Sequence, residues 1–187
     1  MPSFITCRVE AVLSARPGLQ RVRLDDGSRA FVLTQLTGDV AAGDEVVVNT
    51  TAVELGLGTG GWHVVHWNLT RRELRQPGPG HVMKLRYTSL QVDTGGSEED
   101  DVADVAGGEV PEPTLLGRVP VVACTLHSQV AIVAAAVAER APGTRVAYVM
   151  TDGAALPLAL SDSVAELQAK GLVHVTVTAA NAFGGEL

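Results

Sequence analysis

His127 ends an apolar run, Val119-Pro120-Val121-Val122-Ala123-Cys124, that turns polar at Thr125-Leu126-His127-Ser128-Gln129 and then enters an alanine-rich helical stretch. A histidine at a strand end, beside the unpaired N–H groups of a helix start, can act as an acid/base or hold an anion. Thr125 and Gln129 flank it as ligand-binding candidates, while Ser128 either joins them or caps the helix, the cap being preferred. A nucleophile pair of Ser128 and His127 is not expected, because sequence neighbours seldom align for proton transfer. The run from Arg145 to Met150 repeats the pattern and ends in Thr151-Asp152-Gly153. Asp152 can bind a ribose or a cation, orient His127 across the sheet edge, or close an Asx-turn, and Gly153 lets a ligand approach. After a third run come Asn181 and Gly184-Gly185, which either meet a ligand closely or turn the chain. Polar and glycine residues at one edge of three successive strands mark a site, with His127 and Asp152 in the catalytic roles.

A second group is basic: Arg71, Arg72, Arg75, His81, Lys84 and Arg86, a patch for anions or nucleic acid or else a solvated linker. Aromatics are only 4% of the chain, which leaves little for base stacking and places nucleic acid behind a small-molecule ligand. Gly56-Leu57-Gly58-Thr59-Gly60-Gly61 contains a literal G-x-G-x-x-G, but Trp62 to Trp67 after it alternates like a strand. The dinucleotide motif needs a helix there, so this is a glycine-rich loop between β elements. His63 and His66 fall on opposite faces of that strand, and no metal site is expected. The sequence names no cofactor.

The elements that position these groups fall into two parts. Short alternating runs at 4–14, 20–24, 29–33, 44–49 and 63–68, punctuated by Arg16-Pro17-Gly18, Asp25-Asp26-Gly27 and Ala42-Gly43, predict a small β-barrel of SH3 or OB type over residues 1–75. Residues 76–114 form a junction, with a strand over 81–90 and then an acidic, mobile linker. Residues 115–187 read as strand, helix, strand, helix, strand, a Rossmann-like α/β domain with a short parallel sheet. Pro142-Gly143 closes its first helix, and Pro157 opens and Gly171 ends the second. Three parallel strands are few for a free sheet. Either a partner subunit completes the layer or the chain is a piece of a longer protein, and the second reading is favoured. The fold class is therefore α+β, in two domains, incomplete at the C-terminus.

Charge is localised. Residues 93–112 carry eight acidic groups and no basic one, whereas residues 1–91 hold ten Lys/Arg against eight Asp/Glu. The net charge of −7 thus does not argue against an anionic partner for the folded parts. No apolar run approaches the roughly 18 residues of a membrane span, and the N-terminus lacks a signal-peptide pattern. A cytoplasmic protein without membrane contact is expected, with Cys7 and Cys124 as buried thiols in a reducing compartment.

Several strings are specific enough to compare. Val48 to Gly61, Gly80 to Thr88, Leu126-His127-Ser128-Gln129, Tyr148 to Pro157 and Ala182-Phe183-Gly184-Gly185-Glu186 resemble an uncharacterised bacterial family, domain of unknown function 3866. The resemblance covers nearly the whole chain apart from the acidic segment and supplies no activity. It implies that members continue past Phe183-Gly184-Gly185 with further glycine- and histidine-containing stretches, so that part of any active site lies beyond. It also gives the Gly56–Gly61 loop more weight than a mere connection.

Two functions follow as expectations. The leading one is a protein or enzyme, homo-oligomeric, that binds a small phosphorylated or nucleotide-like molecule at the strand edge. The alternative is a non-enzymatic regulatory or scaffold protein whose barrel and basic junction bind nucleic acid or a protein partner.

Overall fold

The structure, a computed structural model, describes residues 1–78, 80, 82–85, 87–94, 119–151 and 156–178. It divides into two compact units, Met1–Pro77 and Gly78–Leu187.

Alternation builds the first unit. β1 (Phe4–Arg16), β2 (Leu19–Leu24), β3 (Arg29–Leu33), β4 (Glu45–Asn49) and β5 (Trp62–Asn68) close into a five-stranded barrel in the order β1-β2-β3-β5-β4. Every second side chain points inward, and Val22, Leu24, Ala30, Val32, Val46 and Val48 lose all solvent contact. Branched aliphatics suit such a pleated, enclosed surface. β1 is long enough to serve two neighbours: Phe4 to Arg8 pair with β4 and Val9 to Arg16 with β2. Irregularities between Val9 and Ala11 and between Val12 and Ser14 lie in the β2-paired half, and such bulges bend a strand around a barrel. β3 and β5 run parallel, which requires the long crossover through α1 (Thr34–Thr37), β4 and α2 (Thr51–Glu54). The five strand runs read from the sequence all form, with ends displaced by two residues at most. The two four-residue helices have no periodicity to betray them.

Arg71 is part of this unit's framework. Its guanidinium donates from Nη1 to the Thr37 carbonyl (3.2 Å) and from Nη2 to the Asp39 carbonyl (2.6 Å). Between those carbonyls sits Gly38, at φ 69 and ψ 173, a region open essentially to glycine alone. A Cβ there would lie 1.9 Å from Arg71 Nη1. Gly38→Ala is expected to cost about 2 kcal/mol through backbone strain and the displaced guanidinium. An unchanged urea midpoint would remove Arg71 from this structural role.

The second unit holds a short antiparallel pair, β6 (Val82–Lys84) with β7 (Val92–Thr94), and a parallel pair, β8 (Ala147–Met150) with β9 (Val175–Thr178). Its other elements among the described residues are α3 (Gln129–Arg140), a 3-10 turn (Leu158–Leu160) and α4 (Asp162–Ala169). Val130, Ala134, Val164, Leu167 and Val173 form its core, with Val146 and Tyr148 packed against them. On the other face of the parallel pair, Val149, Val175 and Val177 are 53%, 41% and 43% exposed. No helix among the described residues is long and apolar enough to cross a membrane.

Four expectations are corrected. Residues 119–124 form no strand, and Val119, Val121 and Val122 are exposed. An apolar run becomes a strand only where its amides meet a paired edge, and among the described residues β8 pairs with β9 alone. For the same reason Cys124 is exposed, while Cys7 is buried in the barrel. Burial, then Asp26 and Asp25 nearby, pushes the Cys7 thiol up. A thiol-specific reagent should therefore label Cys124 at once and Cys7 only on unfolding; two fast thiols would contradict the barrel core. The strand expected over 81–90 stops at Lys84, because Leu85 and Tyr87 take left-handed backbone at φ 50 and 64. Finally, the first two residues of the expected acidic linker, 93 and 94, belong to β7, and the Asp93 carboxylate accepts from the Gly78 amide at 2.7 Å. The rest of that linker lies outside the described residues.

Candidate functional site

The segment before α3 is shaped by Gln129 rather than by Ser128. Gln129 Oε1 accepts from the amides of Thr125 (2.9 Å) and Leu126 (3.0 Å) and from the Thr125 hydroxyl (3.4 Å). Ser128, at φ −63 and ψ −18, makes no side-chain cap. A capping hydroxyl needs extended backbone to reach the second or third helical amide, so the preferred reading of Ser128 is corrected. Thr125 and Gln129 clamp one turn, and that turn presents His127.

Both ring nitrogens of His127 are engaged. Nδ1 lies 2.8 Å from the Tyr148 hydroxyl on β8, and Nε2 lies 2.7 Å from Ser161 Oγ. Ser161 is the N-cap of α4, 5% exposed and in extended backbone, and its Oγ accepts from the Val164 amide at 3.1 Å. α3 and α4 thus begin side by side, joined by one imidazole. The expected second helix, drawn from Pro157, instead begins in a 3-10 turn and restarts as an α-helix after Ser161.

Protons can be placed by elimination. If His127 donated to Ser161 through Nε2, the Ser161 hydroxyl would accept twice and leave its own proton unpaired and buried, which is costly. The other tautomer leaves no such group. The Val164 amide donates to Ser161, Ser161 donates to Nε2, and Nδ1–H donates to the Tyr148 oxygen. The chain ends at the half-buried Tyr148 hydroxyl, whose proton is left for solvent or a ligand. Each bond in such a chain polarises the next.

Burial holds the His127 pKa below the ordinary histidine value. Burial, and secondarily Cys124, raises that of Tyr148. The imidazole is therefore neutral and the phenol protonated near neutrality, as a donor chain requires. The unfolded imidazole titrates near about 6.5. Below that pH the unfolded chain binds a proton that the folded chain refuses until its own lower pKa is reached, so stability falls across that window and is complete above it. Thermal midpoints measured between about pH 5 and 7.5 should show this slope in the native protein, and His127→Gln should flatten it. An equal slope in both would assign the pH dependence elsewhere.

The other candidates fall as follows. Asp152, Gly153, Asn181, Gly184 and Gly185 lie outside the described residues, as do His81 and Arg86. Both nitrogens through which Asp152 would orient His127 are taken by hydroxyls. Arg72 and Arg75 are exposed, Arg75 beside Glu73 at 3.5 Å, and Lys84 belongs to the second unit. Gly56 to Gly61 is a loop between α2 and β5, as its sequence context requires. Among the described residues no three His, Cys, Asp or Glu side chains gather as metal ligands. Tyr148 and Ser161 were not legible as site residues. Tyr148 is an aromatic in a short apolar run, and Ser161 falls inside the helix expected from Pro157.

The sequence model of the family described as protein of unknown function (DUF3866) matches residues 29–187, and the chain belongs to that family. No curated protein and no solved structure matches it significantly.

Proposed function

From this membership, which brings no activity with it, we propose that the chain binds a small phosphorylated or nucleotide-like molecule beside the starts of α3 and α4, with His127 as its acid/base centre. The observation behind the reading is the Ser161–His127–Tyr148 chain, which ties two helix N-termini together and ends on a hydroxyl able to donate outward. The positive dipole ends of two adjacent helix starts favour an anion. In this reading Thr125, Ser128 and Gln129 shape the near side of the site. Asp152 and Gly153 follow β8, and Asn181, Gly184 and Gly185 follow β9, supplying binding groups and a close backbone approach. The finer architecture belongs to the same proposal: an OB-like barrel, since its strand order and parallel β3–β5 pairing are of that kind, and a Rossmann-like second domain.

A thermal-shift screen with nucleotides and sugar phosphates tests it. A ligand at a hundred times its dissociation constant stabilises by about 2.7 kcal/mol, and that gain should vanish in His127→Ala and fall in Tyr148→Phe. No response, or an equal response in His127→Ala, would overturn the assignment.

The proposal extends to a cytoplasmic homo-oligomer without membrane contact. Two free thiols suit a reducing compartment. The exposed Val149, Val175 and Val177 face suits assembly, because parallel sheets are ordinarily covered on both sides. Sedimentation should find more than one chain per particle, and Val177→Asp should dissociate it; a monomer at all concentrations would refute this part.

A further inference from the structure

The outward face of β2, β3 and β5 carries a group that the small-molecule reading does not use. Because Val22, Leu24, Ala30, Val32 and Val65 point into the barrel, strand alternation turns Arg21, Arg23, Arg29, Phe31 and Trp62 outward. Register then aligns them: Arg21 opposite Phe31, Arg23 opposite Arg29, and Arg29 opposite Trp62. Phe31 and Trp62 stack at 4.9 Å with 16° between their planes. The Arg29 guanidinium lies 4.5 Å from the Trp62 ring, and that of Arg21 is 5.7 and 5.8 Å from Phe31 and Trp62. Both rings are half-buried and Arg29 is exposed. The glycine loop borders the group: a Cβ on Gly60 would meet Trp62 at 3.7 Å, and one on Gly61 would meet Arg29 at 3.9 Å. Gly60 and Gly61 have φ of 62 and 79, so at these two positions the loop adds no side chain of its own beside Trp62 and Arg29.

We propose that this face binds a single-stranded nucleic acid, with bases stacking on Phe31 and Trp62 and with Arg21 and Arg29 on the phosphates. Paired rings flanked by guanidinium groups on an open strand face supply both parts of such recognition: a sequence-tolerant stacking surface and a basic track. Arg29 covers the indole and is itself exposed, so it can leave the ring for a phosphate as a base takes its place. A neutral oligosaccharide would use the rings and leave the arginines without a role. OB-fold barrels bind oligonucleotides and oligosaccharides on the β2–β3 face and the adjoining β1–β2 and β4–β5 loops, and residues 56–61 belong to the β4–β5 connection here.

Oligo(dT) and oligo(U) of about twelve nucleotides, with a duplex of equal length, are the probes. The readouts are anisotropy of the labelled strand and quenching of the protein's tryptophan emission. Saturable binding of the single strands is expected, with log Kd rising with log salt at a slope of about 1.4 for two phosphate contacts. Trp62→Ala should weaken it by about 10- to 100-fold, Trp62→Phe should restore most of it, and Arg29→Ala should weaken it and flatten the salt slope. Should Trp62→Ala unfold the barrel, as reported by Trp67 emission, Arg29→Ala and quenching of the native protein decide. Absent binding at low salt overturns the proposal. So does equal affinity for the duplex, or binding unchanged in folded Trp62→Ala and Arg29→Ala.

Discussion

Leu24→Ala is expected to remove about 3 kcal/mol from the barrel, a large part of what holds a domain of this size together. Leu24 has no solvent exposure and is packed among Val9, Val22, Val32, Val46, Val48 and Val65. Those neighbours are β-branched, with few rotamers and no reach, and they sit on strands locked into a closed ladder. None can swing into the space that a lost isobutyl group leaves, so the full cavity contribution is felt. Both tryptophans of the chain, Trp62 and Trp67, lie on β5. Urea unfolding followed by their emission therefore reads the first unit alone. The midpoint should fall sharply with an unchanged slope; a shift smaller than that of a surface substitution would mean that the barrel interior repacks.

Ser161→Ala should have an effect of similar size in the second unit. The Ser161 hydroxyl serves two partners at once, accepting from the Val164 amide and donating to His127. Its removal takes away a helix cap, worth about 1 kcal/mol. It also strands a half-buried ring nitrogen of His127, which adds about 1–2 kcal/mol. The loss should appear as an earlier melt of the helical circular dichroism, since α3 and α4 are the longest helices among the described residues, with tryptophan emission unaffected. Ser161→Asp restores a cap and sets a carboxylate against His127, so its imidazole pKa should rise above the native value. If Ser161→Ala melts like the native protein, the chain of hydroxyls has no structural role and the site built on it loses its frame.

The chemistry at His127 and the stacking face on the barrel divide the molecule by unit. The first would act on a small anion and the second on a polymer of nucleotides. Charge is divided unevenly between them, since residues 93–112, with eight acidic groups and no basic one, belong to the second unit.

The barrel was legible because its information is local. Period-two alternation in 20–24, 29–33 and 44–49, with glycine where the chain must reverse, marks strands whatever they pair with. Asp26-Gly27 between two such runs makes a hairpin, and Gly27 takes φ 83 there. The helices over 129–140 and 162–169 were legible in part, each ending near a glycine, but the second was expected from Pro157 and its start after Ser161 was not read. The run at 119–124 shows the limit of that logic, for its composition is that of a strand but no edge among the described residues pairs with it.

The candidate site lay on the other side of that limit. His127 was a candidate because it sits at a polar break in the sequence, but its partners are 21 and 34 residues away and look like ordinary core and cap residues. Phe31 and Trp62 likewise seemed too few aromatics for stacking until parallel pairing of β3 with β5 laid one against the other. Sequence by itself determined the five barrel strands and which of their side chains face outward, since steric preference and alternation act between near neighbours. Which outward side chains meet was decided only by the tertiary structure, because ladder register and helix docking are set by burying the whole core at once.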